Sequence, residues 1–338
     1  MPVVSLVFAD GEQIALSARA DETILAAARR HGIPLASDCE VGDCQTCRCT
    51  LVAGEVAYDP GATISLTEEE TEAGDVLSCV AAAATDARVK LPYARARLLP
   101  ARPFSVQVEA VEQLSATVMR LRTRMAGIRP LTFLPGQYVN LTVPGAGVQR
   151  AYSMANAPSA QDRTMEFLIR MLESGAMSDY LGTRARPGDT LAGSGPHGTF
   201  YLRDGTRPIL MVAGGTGLAP MLSMLHQLAG TDPTRPVTLC FGVNRPEDLF
   251  GCDTLETLKT KLPALEVRLA VVGGGGGDAN WQTGHVTDLL ASDDAIGRDI
   301  YLCGPPAMTD HARTRLLADG ASPGALFAER FVSGSNSA

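Results

Sequence analysis

Four cysteines constrain this chain more than any other feature. Cys39, Cys44 and Cys47 lie on one short loop, "DCEVGDCQTC", in the spacing C-x4-C-x2-C. Cys79 follows Cys47 after 31 intervening residues. Three thiolates on one loop can wrap a metal centre only if the backbone turns inward, and Gly42 permits that turn and lets main-chain amides face the sulfurs. The fourth thiolate then has to arrive from a distant segment and close the site.

The spacing is that of a plant-type [2Fe–2S] cluster with all four thiolates as ligands. A structural zinc site usually pairs one C-x2-C with a second close pair, whereas Cys79 stands alone. A Rieske centre needs two histidines, and no His lies between Cys39 and Cys79. Cys49 is read as a small core residue because the four ligand positions are already filled. Cys240 and Cys252 follow no metal-ligand spacing and are also read as core residues. A cytoplasmic protein is expected, since clustered thiols there serve as ligands more often than as disulfides. The start, "MPVVSLVFADGEQIAL", has no basic leader or cleavage site and alternates like a strand.

At 338 residues the chain exceeds one ordinary domain. With 45% hydrophobic and 20% charged residues it can bury sizeable cores. No apolar run reaches the length of a membrane span. The net charge of −8 is uneven: residues 1–97 hold 15 acidic and 8 basic side chains, and the rest 22 and 21. Nucleic acid is not expected as a partner, because no basic footprint exists. Two uses fit the acidic first segment: solubility, or recognition of a basic patch on another protein.

Three domains are expected. Residues 1–95 begin with two strands and a helix, "DETILAAARRHG", for which Asp21 is the expected N-cap and Gly32 the stop. After the cysteine loop come a strand–turn–strand, a capped helix in "SLTEEETEAG" starting at Ser65 or Thr67, and a strand carrying Cys79. A Pro-containing linker, "YARARLLPARPF", leads to residues 102–203, where short strands between Gly/Pro turns indicate an antiparallel barrel. One helix is expected there, in "SGAMSDYLGTRA". Residues 206–338 alternate buried strands with helices, including one in "GHVTDLLA", the pattern of a parallel α/β sheet. The "GGGGG" tract at 273–277 is read as a flexible loop.

Residues 38–79 resemble the ferredoxin module of bacterial oxygenase reductases, and the resemblance runs through the whole chain. It implies a β-grasp ferredoxin domain (α+β), an antiparallel six-stranded β-barrel that binds flavin, and an α/β parallel-sheet nucleotide-binding domain. "RAYSMANAP" is similar to the Arg-x-Tyr-Ser motif of the ferredoxin–NADP reductase superfamily. That likeness implies Arg150 on a phosphate of FAD, Tyr152 on the isoalloxazine and Ser153 near its N5. "IRMLESGAMS" resembles the next element, with Gly175, Ala176, Met177 and Ser178 opening a helix toward the pyrophosphate and Arg170 as a second phosphate contact.

"ILMVAGGTGLAPMLSML" is an apolar strand, a Gly turn and a helix. Gly214, Gly215, Thr216 and Gly217 allow close approach of a phosphate, and the resemblance identifies the turn as the nicotinamide dinucleotide motif. "LCGPPAM" places Cys303, Gly304 and Pro305 beside the nicotinamide by the same resemblance. Cys303 is read as positional, because hydride transfer needs no covalent intermediate. The closing "FAERF" resembles the family's terminal segment, which implies that Phe331 lies near the flavin. In "FGVNRPEDLF", Glu247 and Asp248 favour NADH through the ribose 2′-OH, whereas Arg245 could pair with a 2′-phosphate.

The resemblance implies a monomeric reductase that takes electrons from NADH through FAD and a [2Fe–2S] cluster to a terminal oxygenase docked on the acidic ferredoxin module. The nearest group is the reductase of benzoate/anthranilate-type ring-hydroxylating dioxygenases. Reductases of phenol- or methane-type diiron monooxygenases, and of bacterial cytochromes P450, share the layout. A stand-alone redox carrier or sensor is the rival of a different class.

Overall fold

The computed structural model describes residues 1–127, 129–159, 161–273 and 280–331. Most of the glycine tract, 274–277, lies outside the described residues. The chain divides into two compact units, residues 1–101 with 197–199, and residues 102–196 with 200–338.

The first unit is built on a five-stranded sheet. Its strands are β1 (Val3–Val7), β2 (Gln13–Ser17), β3 (Arg48–Ala53), β5 (Asp75–Leu77) and β7 (Ala87–Lys90), in the order β2-β1-β7-β3-β5. β1 runs parallel to β7, and the other pairs are antiparallel. A two-stranded ladder joins β4 (Val56–Tyr58) to β6 (Ala81–Ala83). α1 (Ile24–Arg30) buries Ile24, Leu25, Ala27 and Ala28. Its N-cap is Thr23, which accepts from the Ala26 amide at 3.2 Å, and not Asp21. Thr23 also bridges to Ala82, so tertiary pairing fixes the helix start two residues later than local preference suggests. α2 (Glu68–Glu72) begins at Thr67 with a full capping box to Glu70.

The second unit contains two sheets. The antiparallel one comprises β8 (Arg102–Gln113), β9 (Val118–Met125), β10 (Tyr138–Thr142), β11 (Gln149–Ser153), β12 (Thr164–Arg170) and β13 (Thr190–His197), in the order β11-β10-β13-β8-β9-β12. A bridge between Met154 and Phe167 joins the two edges and closes the barrel at one end. Alternate residues such as Val106, Leu121, Val139, Leu141 and Phe167 fill its interior. The expected helix 174–185 is split: α3 (Ala176–Asp179) passes into a π turn over Tyr180–Arg184. Tyr180 is drawn away by its hydroxyl bond to Asp189 (2.9 Å), and the Ala185 amide reaches back to the Tyr180 carbonyl at 2.8 Å.

The other sheet is wholly parallel: β17 (Gln282–Thr283), β16 (Leu265–Val271), β15 (Val237–Val243), β14 (Ile209–Gly214), β18 (Asp299–Gly304) and β19 (Leu326–Arg330), in that spatial order. β15 and β18 are buried at every residue, which explains their unbroken apolar runs. α4 (Leu218–Thr231), α5 (Cys252–Lys261) and α6 (Pro306–Ala318) cover the faces. "HVTDLLA" forms a 3-10 turn at Val286–Leu289 rather than a helix; the Asp288 carboxylate ties to the His285 amide, and the chain then turns away at Leu290. Cys240 is a core residue as expected, but Cys252 is half-buried at the first turn of α5. Among the described residues no helix is long and apolar enough to cross a membrane.

Candidate functional site

The cysteine loop is shaped by left-handed backbone at Glu40, Gly42 and Gln45. A Cβ at Gly42, where φ is +82°, would lie 1.9 Å from the Thr63 carbonyl oxygen, so only glycine lets residues 62–66 cross the loop so closely. The turn aims amides at sulfur. Cys44 N donates to Cys39 Sγ at 3.3 Å, the Val41 and Asp43 amides lie near enough to the same sulfur to favour its thiolate, and the Gly42 amide does so for Cys79. Gln45 is pinned by its Nε2 bond to the Ser65 carbonyl (2.7 Å).

Cys79 does not lie on a strand. It occupies the turn between β5 and β6, where Val80 N bonds to Leu77 O at 3.1 Å, and this turn carries its sulfur to 3.1 Å from Cys47 Sγ. All eight cysteines are free thiols. Among the described residues no three Cys, His, Asp or Glu side chains converge on one ion. The four thiols form two pairs instead, Cys39 with Cys44 and Cys47 with Cys79. Two pairs suit a two-iron cluster, with two thiolates per iron, better than one tetrahedral ion. Leu25 and Leu77, with partly buried Leu35, Leu66 and Val80, pack around Cys47 and Cys79 and shield that side from water. Cys49 is buried, and its sulfur lies against the Val76 carbonyl. The residues present fit a [2Fe–2S] cluster.

The Arg-x-Tyr-Ser segment is β11. Pairing with β10 sets Arg150 opposite Leu141, Tyr152 opposite Val139 and Ser153 opposite Tyr138. Arg150 and Tyr152 share one side of the strand and Ser153 takes the other. Tyr152 packs edge-on to Phe167 at 6.4 Å, and burial pushes its hydroxyl pKa up, so it stays a neutral donor. Arg170 ends β12, the strand the closing bridge brings to β11. The loop after it folds on Ser178, whose Oγ accepts from the Leu172 amide at 2.8 Å, with Met177 buried and Gly175 as N-cap. The Gly175 amide is taken by the Leu172 carbonyl at 3.2 Å, which leaves the two arginines and the amides at 176–178 as donors of the kind a pyrophosphate needs. α3 has only four residues, so any attraction comes from those amides and not from a macrodipole.

The dinucleotide motif ends β14. Gly215–Gly217 form a 3-10 turn that leads directly into α4. A Cβ at Gly217 would sit 2.1 Å from the Cys303 carbonyl oxygen, so this glycine seats the turn against the end of β18. β15 and β18 flank β14 on opposite sides, so chain order reverses there, and the carboxyl ends of β14 and β18 bound the crevice where such sheets bind nucleotides. Thr216 and Gly304 lie at that crevice, and Pro305 caps α6. Glu247 and Asp248 lie on the turn after β15. Glu247 is exposed, 3.9 Å from the Arg245 guanidinium, while Asp248 Oδ1 accepts from Thr117 Oγ1 at 2.7 Å.

The two nucleotide motifs are bonded together. Ser223 Oγ on α4 donates to the Asn156 carbonyl just beyond β11, at 2.7 Å. Ser153 Oγ donates to Glu329 Oε2 on β19, at 3.3 Å. Glu329 lies opposite Cys303 in the β18–β19 register, and the Phe331 amide donates to the Gly304 carbonyl at 2.8 Å. The structure therefore gathers Ser153, Cys303 and Phe331, and adds Glu329, which the sequence reading passed over. Its only sequence signal is its place inside "FAERF", two residues before Phe331. Burial, with Glu329 adding repulsion, holds the Cys303 thiol pKa well above its ordinary value.

Three family descriptions match along the chain: a 2Fe-2S iron-sulfur cluster binding domain over residues 7–84, an oxidoreductase FAD-binding domain over 105–201 and an oxidoreductase NAD-binding domain over 211–314. The chain is 36% identical over 335 residues to the toluate 1,2-dioxygenase electron transfer component of Pseudomonas putida, covering 97% of this chain and 98% of that protein. It is 37% identical over 336 residues to the 2-halobenzoate 1,2-dioxygenase electron transfer component of Burkholderia cepacia, covering 97% of each. Among solved structures, an Amycolatopsis cytochrome P450 reductase is similar with a TM-score of 0.72 and 29% identity, over 98% of this chain and 99% of that one.

Proposed function

We propose, from the premise that this chain belongs to the family of flavin- and iron–sulfur-containing reductase components of bacterial oxygenases, that it carries electrons from NADH to an aromatic-ring-hydroxylating dioxygenase. The chain is an oxidoreductase with binding domains for a [2Fe–2S] cluster, FAD and a nicotinamide dinucleotide. Bound in these sites, the groups supply hydride acceptance by the flavin and one-electron carriage by the cluster.

The protein's own residues bind and orient. Arg150, Arg170 and the amides at 176–178 would hold the flavin pyrophosphate, and Tyr152 would lie against its ring. The Gly214–Gly217 turn and Gly304–Pro305 seat the dinucleotide, with Glu247 and Asp248 reading the ribose. Ser153, Cys303, Glu329 and Phe331 fix the approach of the nicotinamide to the flavin. Cys39, Cys44, Cys47 and Cys79 hold the iron. One observation carries the reading: the Ser153–Glu329 bond brings the flavin strand to the crevice of a chain that also carries the four-thiol loop. All three sites lie on one chain, so a monomer suffices, and four ligand thiolates with four further cysteines outside disulfides suit the cytoplasm.

The oxygenase docks on the acidic ferredoxin module. Of Asp38, Glu40 and Asp43, Glu40 is already held by Arg29 through contacts of 2.5 and 3.2 Å and Asp38 lies 3.8 Å from His197 Nδ1, so Asp43 is the strongest docking charge of the three. A second reading, a cytochrome P450 as acceptor, is favoured by the similar P450 reductase structure. NADH-dependent reduction of ferricyanide and cytochrome c after flavin and cluster loading tests the reductase, and its absence would leave a carrier or sensor. Assays with purified Rieske oxygenases and P450s then test the acceptor. Charge reversal at Asp43 should slow delivery to the oxygenase and spare ferricyanide; equal loss of both would refute docking there.

A further inference from the structure

The hairpin between β8 and β9 is bonded to both nucleotide loops through one residue. Thr117 Oγ1 donates to Asp248 Oδ1 at 2.7 Å, 131 positions along the chain. The neighbouring Ala116 amide donates to the Glu247 carbonyl at 3.1 Å, so the same turn is held by main chain as well. On its other side the Thr117 carbonyl accepts from the Met171 amide at 2.8 Å, at the root of the loop leading to Gly175. Thr117 therefore touches the ribose-reading turn with its side chain and the phosphate loop of the flavin with its backbone.

From these bonds we infer that Thr117 is a positioning residue that sets the preference for NADH over NADPH by holding the Asp248 carboxylate in place. The inference rests on the dinucleotide reading of the turn after β15. A carboxylate on a short half-exposed turn rotates unless a directional donor fixes it, and a fixed carboxylate both accepts from a ribose 2′-OH and repels a 2′-phosphate. Arg245 lies on the same turn with its side chain 73% exposed, and attracts the 2′-phosphate instead. Releasing Asp248 therefore shifts the balance of the turn toward NADPH.

The test uses the FAD- and cluster-loaded protein with Thr117→Val, which keeps shape and removes the hydroxyl, and Thr117→Ser, which keeps the hydroxyl. ADP-ribose affinity is read by calorimetry, and KM for NADH and NADPH with ferricyanide as acceptor. Losing one charge-assisted hydrogen bond at a half-exposed site should weaken ADP-ribose binding by about three- to tenfold and narrow the NADH preference by a similar factor. The change should fall on KM more than on kcat. FAD content should hold, because the bond to Met171 is main-chain, and Thr117→Ser should restore both values. In the double variant Thr117→Val with Asp248→Ala, the valine should add nothing to the loss from Asp248→Ala alone. Unchanged affinity and preference in Thr117→Val, a serine variant as impaired as the valine one, or additive losses would overturn the inference. If ADP-ribose binds but NADH is not oxidised, the reductase reading fails, while the binding arm still decides the role of Thr117.

Discussion

Ser153 and Glu329, 176 positions apart in the chain, meet through a 3.3 Å hydrogen bond that joins the barrel to the last strand of the parallel sheet. A hydroxyl bound to a carboxylate holds one rotamer, and Ser153 sits where the resemblance places flavin N5. Both Ser153→Ala and Glu329→Ala should lower NADH–ferricyanide kcat by about tenfold or more, the worth of one charge-assisted bond. FAD absorbance should be retained. The double variant should be little worse than either single one, because both remove the same contact; stopped-flow flavin reduction reads all three.

Cys303 should be chemically quiet. Burial, first, and the Glu329 carboxylate, second, hold its thiol pKa well above the ordinary range, and the thiolate is the reactive form. Iodoacetamide at pH 8 should leave Cys303 unmodified in the folded protein, as followed by peptide mass spectrometry; alkylation at the rate of an exposed thiol would contradict this. The unfolded thiol ionises near pH 8.5 and the folded one does not, so this contribution to stability is full below that pH and is lost as pH rises above it.

The four-thiol assignment separates two neighbouring cysteines. Cys79→Ala should abolish the cluster, leaving almost no iron after reconstitution. Cys49→Ala should keep it, and should cost only about 1 kcal/mol for the small core cavity. Iron quantitation and visible absorbance check both; loss of iron in Cys49→Ala alone would reverse the assignment.

Arg48, next to Cys47, bridges Glu70 on α2, at 2.5 Å, and Asp75 on β5. Glu70 is only 3% exposed and also closes the capping box with Thr67. Glu70→Ala should destabilise the first unit by about 2 kcal/mol, below the full value for a buried pair because Arg48 is partly exposed. Loss of cluster absorbance on heating should begin at a lower temperature.

Local signals were legible where chemistry demands a fixed spacing or a special backbone. The C-x4-C-x2-C loop announced its metal because three thiolates must share one turn. The runs in β14, β15 and β18 announced a parallel sheet because both its faces are covered. What escaped depends on partners far away in sequence. Cys79 sits on a turn rather than a strand because the pairing of β4 with β6 needs one there. Glu329 gains its role only when β19 aligns beside β18, and Asp248 meets Thr117 only through packing of the hairpin. Thr23 displaced Asp21 as N-cap because Thr23 also pairs with Ala82, a contact no helix rule contains.

The central claim is that electrons pass from NADH to the iron held by Cys39, Cys44, Cys47 and Cys79. Its most direct test is anaerobic addition of NADH to the fully loaded protein, followed by low-temperature electron paramagnetic resonance. The account predicts the signal of a reduced [2Fe–2S] cluster in the wild type, and in Cys79→Ala a flavin that still bleaches without that signal. A wild-type flavin that bleaches while the cluster stays oxidised and silent would contradict it.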